Sequence, residues 1–190
     1  MRVYDMGKDL GNRLNILKKI KSYRGINDDE EKMRLELINF IIENPDCFKR
    51  SLRKGHVTGS ALITDYSQQY ILLTLHAKFD KWFQLGGHSD GNSDTAQVAY
   101  QEACEESGLT SIEFLSTDIL DIDIQQIPRR NDELEHIHYD IRFLFTANKD
   151  EKLKISSESK DLQWVPIDRV HDLNSRDAMS RMILKLKNYK

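Results

Sequence analysis

The order of the predicted elements indicates an α+β layered fold preceded by an N-terminal helical extension. Two stretches with helical apolar spacing occupy roughly the first fifty residues, and short runs rich in Ile, Leu and Thr begin after Gly59. A glycine loop and an acidic helix follow, and then further strands lead to a closing helix. Elements in this order pack as layers around one hydrophobic core. We therefore expect a sheet that is covered by helices.

The composition limits the classes of protein to which the chain can belong. Its 190 residues suit one domain with an extension. A net charge of −3 gives no bulk attraction to a nucleic acid polymer. Cys47 and Cys104 fit no disulfide pattern, which favours a reducing, cytoplasmic setting. Because no apolar run is long enough for a bilayer, we expect no membrane partner.

The extension is predicted to consist of two amphipathic helices. Over residues 9–21 leucines recur at i, i+4 and i+7, which is the spacing of one helix face. The second helix starts after Asn27, which has capping-box spacing to Glu30, and it ends before Pro45. These helices could form a homodimer interface, cover a substrate cleft or brace the sheet, and the pattern leaves these alternatives open.

The main domain begins with a predicted hairpin. Residues 60–64 and 70–76 are apolar runs separated by a polar stretch, as in two strands joined by a turn. Residues 112–116 and 119–127 are predicted as two further strands. The clearest strand covers residues 136–146, where alternate residues are apolar.

The last elements are a strand over residues 161–165 and a closing helix over residues 175–188. We divide the chain into a helical N-terminal extension of residues 1–55, packed on the main domain, and a main domain of residues 56–190.

The most informative segment is the glycine loop with the acidic helix after it. Glu102, Glu105 and Glu106 fall within about a 100° arc of this helix. Like charges at the i,i+4 spacing of Glu102 and Glu106 repel each other, and a hard cation such as Mg²⁺ would offset that repulsion. A solvated acidic surface is the alternative. Small residues on the neighbouring face, with Gly108 as a stop signal, favour a helix held close to the sheet.

This segment resembles the Nudix box, G-x5-E-x7-R-E-U-x-E-E-x-G-U, in which U is a bulky aliphatic residue. Residues 87–109 align with the box without a gap, with the small Ala103 at an aliphatic position. Ser93 stands at the first glutamate and Gln101 at the arginine. The loop sequence at residues 82–88 is similar to the family variant with GGH. The resemblance implies a Nudix-type α/β/α sandwich with a mixed β-sheet.

The resemblance also implies a reaction. Nudix hydrolases cleave a pyrophosphate bond in a nucleoside diphosphate linked to another group, by attack of water on phosphorus with Mg²⁺ or Mn²⁺ as cofactor. Carried over by position, the metal ligands are Glu102, Glu105 and Glu106, with a backbone carbonyl from Gly86 or Gly87. Glu105 and Glu106 are also the catalytic candidates from the box. The expected partner is a small nucleotide-type diphosphate.

Other candidates lie outside the box. A general base from a distant loop has a candidate in Glu135, at the end of the acidic run of residues 132–135. The strand that follows shows His136, His138 and Asp140 on its polar face, which either faces solvent or lines the substrate cleft. His-x-His-x-Asp could also bind a transition metal, although no matching ligand cluster elsewhere in the sequence supports such a site.

Two more histidines flank the glycine loop. His76 precedes the loop and His88 follows its glycines. Each is a candidate for contacting a substrate phosphate, and each is equally well explained as a surface residue.

The two departures from the box leave a second function open. Gln101 can donate a hydrogen bond but cannot neutralise a glutamate, a loss of about 1–2 kcal/mol. Ser93 cannot replace a carboxylate ligand, and Ser93 or Asp94 is predicted to cap the helix. The alternative function is therefore a catalytically weakened Nudix-fold module that binds nucleotides or regulates. Isopentenyl-diphosphate isomerase chemistry would need a cysteine in the cleft, and neither cysteine has that context.

Overall fold

The structure, a computed structural model, describes residues 3–130 and 134–189. The helices are α1 (Val3–Ser22), α2 (Asp28–Glu43), α3 (Thr95–Ser107), α4 (Val170–Leu173) and α5 (Asp177–Lys187). The strands are β1 (Gly55–Asp65), β2 (Tyr70–His76), β3 (Lys81–Phe83), β4 (Leu85–His88), β5 (Glu113–Ile127), β6 (His136–Ala147) and β7 (Ser159–Pro166). Among the helices described, none combines the length and apolarity that a bilayer crossing requires.

All of these strands belong to one mixed sheet. The order is β3-β2-β1-β6-β5, and in addition β4 pairs with β1 and β7 pairs with β2. The first half of β1 is antiparallel to β4, while its end is antiparallel to β2. On its other side β1 runs parallel to β6. Strand β1 is therefore central, and it lies between the glycine strand β4 and β6.

Helices cover both faces of the sheet, as the α/β/α sandwich requires. One core cluster joins α1, α2 and α3 to the sheet, and it includes Ile20, Leu37, Ala99, Val57, Ile141 and Phe143. The second cluster joins α4 and α5 to the opposite face through Val170, Met179, Met182, Leu62 and Leu144. Side chains of successive strand residues point to opposite faces. Leu62 and Leu144 therefore belong to the second cluster, whereas the residues next to them in sequence belong to the first.

The N-terminal helices brace the sheet. Ile20 and Ile41 are fully buried in the first cluster, and burial of a side chain of this size contributes about 1.5–3 kcal/mol. Phe40 of α2 stacks on Tyr139 of β6, with 3.9 Å between the ring centroids. Of the roles left open for the extension, this packing supports bracing. The division between residues 55 and 56 stays a prediction.

Two parts of the chain differ from the predicted elements. Residues 113–127 form the single strand β5, where we expected two strands. The pairing with β6 shifts register between Phe114 and Asp121, and these irregularities allow it to continue across the polar residues that separate the two apolar runs. The glycine loop is partly β-strand, since β4 pairs with β1. Strands as short as β3 and β4 are too brief to show an alternating pattern.

The acidic helix α3 begins and ends at the expected residues. Asp94, one of two predicted caps, is the N-cap, and its Oδ1 accepts a hydrogen bond from the backbone N–H of Gln97 at 3.2 Å. Gly108 closes the helix with φ of 68°, in the left-handed region that glycine adopts without strain.

Candidate active site

Helix α3 lies so close to β4 that a glutamate contacts the glycine backbone. A Cβ atom at Gly87 would lie 2.6 Å from both carboxylate oxygens of Glu102, so any other residue here would displace that side chain. One turn further along, Glu106 Oε1 accepts a hydrogen bond from the N–H of Gly86 at 3.4 Å. Two of the three box glutamates therefore converge on the glycines of β4, as the box alignment predicts.

The surroundings of Glu102 disfavour its charged form. Burial raises its pKa to about 7, and the carboxylates of Glu105, Glu158 and Asp90 add to this effect, while Arg50 opposes it. Arg50 is itself paired with Asp90, through Nε and Oδ1 at 2.5 Å, so much of its charge is already compensated.

Glu106 is more deeply buried, with 7% of its surface exposed. Burial raises its pKa to about 8, against the hydrogen bond from Gly86, and Glu102 and Glu158 raise it further. Within the part of the chain that the structure describes, no cation is among the groups that shift the pKa of Glu106, and Arg50, which acts on Glu102, is shared with Asp90. Two adjacent carboxylates without a paired cation fit a divalent ion with oxygen ligands.

Glu105 and Glu158 complete the acidic surroundings. Glu105 is exposed on α3, where a metal or substrate from solvent can reach it. Glu158 precedes β7 and raises the pKa of both Glu102 and Glu106. No local pattern predicted Glu158 as a site residue, because it lies far beyond the box and only the β2–β7 pairing brings it near.

The proposed distant base is placed at the start of β6. Glu135 is exposed, and its Oε1 accepts a hydrogen bond from Gln126 Nε2 at 2.6 Å. Asp132 and Glu133, from the same acidic run, lie outside the described residues. The catalytic role of Glu135 stays a prediction.

Four histidines form a cluster on the other side of β4. We call His56, His88, His136 and His138 the histidine cluster; the ring centroids of His56 lie 4.8–5.0 Å from those of the other three. His56 is opposite His138 in the β1–β6 register. Because adjacent strand residues point to opposite faces, His88 points away from the contact between Gly87 and Glu102. The glycine strand thus separates the glutamates from the histidine cluster.

Burial favours the neutral form of two of these histidines, His56 and His138. It lowers the pKa of His138 to about 2 and that of His56 to about 4, and neighbouring histidines lower both further. His56 was not predicted as a site residue, because it lies on β1 and only the sheet register brings it to β6. The substrate-binding roles of His88, His136 and His138 stay predictions.

An open cavity of about 640 Å³ lies beside the histidine cluster. Its lining includes His56, His88 and His136, and Arg50 and Arg53 bring positive charge to it. A cavity of this size accommodates a small organic ligand, and the arginines favour an anionic one.

Asp140 does not join the histidine cluster. It accepts hydrogen bonds from Thr58 Oγ1 at 2.9 Å, Ser60 Oγ at 2.8 Å and Arg142 Nε at 2.7 Å. These contacts are those of a structural residue, and its substrate-binding role stays a prediction. His76 is also separate: its ring centroid lies 4.8 Å from that of Phe79, and its Nδ1 accepts a hydrogen bond from the N–H of Lys78.

Comparisons with known proteins agree with this geometry. The model of the NUDIX domain family matches residues 54–186. No curated protein matches the chain. An Ap4A hydrolase from C. elegans, solved as a binary complex, is similar in structure with a TM-score of 0.57 at 16% identity, covering 70% of this chain and 96% of its own.

Two further solved structures are similar. A NUDIX family hydrolase from Clostridium perfringens has a TM-score of 0.52 at 22% identity, covering 71% of this chain and 98% of its own. A MutT protein from Methanosarcina mazei Go1 has a TM-score of 0.53 at 17% identity, covering 72% of this chain and 96% of its own. At such identities the likeness shows a common fold.

Proposed function

Because this chain belongs to the NUDIX family of hydrolases, we propose that it is a divalent-metal-dependent pyrophosphohydrolase. Its substrate is a nucleoside diphosphate linked to another group, and its cofactor is Mg²⁺ or Mn²⁺. The observation that most strongly supports this proposal is the convergence of Glu102 and Glu106 on the glycines of β4 without a paired cation.

In this proposal Glu102, Glu105, Glu106 and the carbonyl of Gly87 hold the metal. A divalent ion held there would neutralise charge on the diphosphate and lower the pKa of the attacking water. Without an ion, Glu106 holds a proton at neutral pH, since its pKa is about 8. A carboxylate from Glu105, Glu106 or Glu135 accepts the proton of the attacking water.

Substrate binding is proposed on the side of the cavity. Arg50 and Arg53 bring positive charge close to the glycine strand, and guanidinium groups bind phosphate oxygens well. His88, the last residue of that strand, and His76, at the end of β2, are proposed to contact phosphate. Because one structural neighbour is an Ap4A hydrolase, dinucleoside polyphosphates belong in the first group of substrates to test.

The test is hydrolysis of a panel of nucleoside diphosphate derivatives with Mg²⁺ or Mn²⁺. We expect metal-dependent release of phosphate-containing products, and we expect Glu105→Gln and Glu106→Gln to lower the rate by roughly 10²-fold or more. Glu43→Gln, an exposed change at the end of α2, is the matched control and should keep the rate. Unchanged turnover in both box variants would contradict the proposal.

A weakened binding module would give a different result. Calorimetry would then show tight nucleotide binding, while no metal concentration would give turnover in the wild-type protein. Ser93 motivates this comparison, since it is fully buried next to the cap residue Asp94 and offers no carboxylate.

The cellular compartment and the oligomeric state are also proposals. Cys47 and Cys104 are both free of disulfides, which supports a reducing cytoplasm. A homodimer stays a prediction, and light scattering on the purified chain tests it.

A further inference from the structure

Three members of the histidine cluster bring ring nitrogens close to one another. His56, His136 and His138 each offer a nitrogen, and these atoms all lie within 4.8 Å of one another. Two come from β6 and the third from β1, so the parallel β1–β6 register holds them together. A site built on adjacent central strands is held more rigidly than one built on loops.

The hydrogen bonding of His136 leaves one nitrogen as an acceptor. Its Nδ1 lies 2.8 Å from the carbonyl oxygen of Leu134, so Nδ1 carries the proton and donates it. Nε2 therefore carries the lone pair, and it makes a hydrogen bond of 3.0 Å with Nε2 of His138, a contact that a bound metal ion would replace. A carbonyl that fixes the tautomer of a histidine in this way is a common support for a metal ligand.

His56 is the least satisfied member of the cluster. It is 4% exposed, and neither ring nitrogen makes a hydrogen bond of normal geometry with the described residues. The Leu52 carbonyl lies near enough to raise its pKa slightly against the larger effect of burial. Leaving a buried polar group without a partner costs about 1–3 kcal/mol, so such a group calls for an explanation.

We propose that His56, His136 and His138 bind a transition-metal cation, with Zn²⁺ as the leading candidate, at a site separate from the box glutamates. Zn–N distances of about 2.0–2.1 Å in a tetrahedron place ligand nitrogens about 3.3 Å apart. The spacing of 3.0 Å between His136 and His138 is close to that value. Neutral imidazoles suit Zn²⁺ and Co²⁺, whereas Mg²⁺ prefers oxygen ligands.

The surroundings provide an entry path and room for a further ligand. The open cavity reaches His56 and His136, and the ring centroid of His88 lies 5.1 Å from that of His138. The fourth position is therefore available to His88, to water or to an anionic ligand drawn in by Arg50 and Arg53. This proposal does not depend on the hydrolysis proposed above.

The first test is the binding of Co²⁺ or Zn²⁺ to untagged protein. Tetrahedral Co²⁺ with nitrogen ligands absorbs visible light strongly, whereas six-coordinate Co²⁺ with oxygen ligands absorbs weakly. We expect one Co²⁺ per chain with the strong spectrum, loss of that spectrum in His56→Gln and His138→Gln, and displacement by Zn²⁺ but not by excess Mg²⁺.

Two control variants separate the sites. His171→Gln changes an exposed histidine outside the cluster, and Glu105→Gln changes a box glutamate. Both should keep the Co²⁺ spectrum. Loss of the spectrum in Glu105→Gln, with retention in His138→Gln, would place the ion at the glutamates and overturn the proposal.

The wild-type protein supplies a second measurement, which is needed if the histidine variants fail to fold. Zinc-edge X-ray absorption with one equivalent of Zn²⁺ should show imidazole ligands, and a shell of oxygen atoms alone would overturn the proposal. Binding of inorganic phosphate that requires His138 but no metal would also overturn it, because it would assign these histidines to the substrate.

Discussion

Buried carboxylates occur in two regions of the molecule, one on β5 and β6 around Arg142 and the other on helix α3. The regions differ in whether the protein supplies a cation that pairs with the carboxylates. We call Asp121, Asp123, Asp140 and Arg142, with Arg181 and Lys185 of α5 and Glu30 of α2, the Arg142 network. Arg142 contacts its three aspartates at 2.7–3.0 Å, and Arg181 contacts Asp121 at 3.0 Å. At α3, no cation of the described residues is among the groups that shift the pKa of Glu106, and Arg50, which acts on Glu102, is shared with Asp90.

The pKa values reflect this difference. Burial raises the pKa of Glu30, but the hydrogen bonds that Lys185, Tyr23 and the N–H of Ile26 donate to it outweigh this effect and lower its pKa to about 2. The pKa of Glu106 rises to about 8, because burial meets no compensating cation. Carboxylates whose charge is compensated internally hold the fold together, whereas those left without compensation are available for an external cation.

The largest expected effect is the loss of the central cation. Arg142→Met would leave three buried aspartates without their shared partner, and breaking a buried ion pair from one side costs about 3–5 kcal/mol. Urea unfolding measures this free energy. Arg169→Met is the control, because its pair with Asp172 is exposed and screened by solvent, so its loss should change the stability little. Equal effects of the two changes would show that the Arg142 network is not structural.

The pH dependence of Glu30 gives the next largest effect. A folded-state pKa of about 2, below the usual 4.5, contributes stability that is present above pH 4.5 and lost as pH falls through 2. Glu30→Gln should therefore lower the free energy of unfolding by about 3 kcal/mol at pH 7 and by much less near pH 2. Chemical denaturation at several pH values checks this, and a difference independent of pH would contradict it.

Magnesium should stabilise the folded protein by binding at the α3 glutamates, and not at the Arg142 network. At ten times its dissociation constant, an ion that binds the folded state alone adds about 1.4 kcal/mol. We expect thermal scans to show this gain in the wild-type protein and its loss in Glu102→Gln. KCl at equal ionic strength is the control, and a similar gain from KCl would indicate screening rather than binding.

The sequence could predict the parts of the fold that depend on neighbouring residues. Asp94, Gly108 and the box glutamates follow local patterns, and the structure places them as predicted. The alternation in β6 also predicted that His136 and His138 share a face. Each of these features depends on helix or strand periodicity within a few residues.

Contacts made across the sheet could not be predicted. His56 reaches the cluster only through the parallel β1–β6 register. Asp140 belongs to the Arg142 network because Arg142 donates hydrogen bonds both to it and to Asp121 and Asp123 of the neighbouring strand β5. No local pattern specifies which strands become neighbours. The candidate metal ligands predicted from β6 were His136, His138 and Asp140. In the structure Asp140 is engaged by Arg142, and His56 of β1 takes its place beside the two histidines.

The smallest expected effect comes from adding a cation to α3. Gln101→Arg creates an i,i+4 pair with Glu105 on an exposed face, worth about 0.3–0.5 kcal/mol in stability. We expect this small gain in denaturation and, from charge assistance of about 1–2 kcal/mol, a rise in hydrolysis. Gln101→Met is the uncharged control. A rise of equal size in Gln101→Met would show that charge is not the cause.

The parallel pairing of β1 with β6 also has a consequence for synthesis of the chain. β2, β4 and α3 can assemble on β1 soon after translation, but pairing on its other side waits until Ala147 has been made. Closing so long a loop is entropically costly and slow, and an unpaired strand edge attracts other chains meanwhile. The nascent chain thus exposes one side of its central strand until β6 arrives, and His56 meets His138 only at that late step.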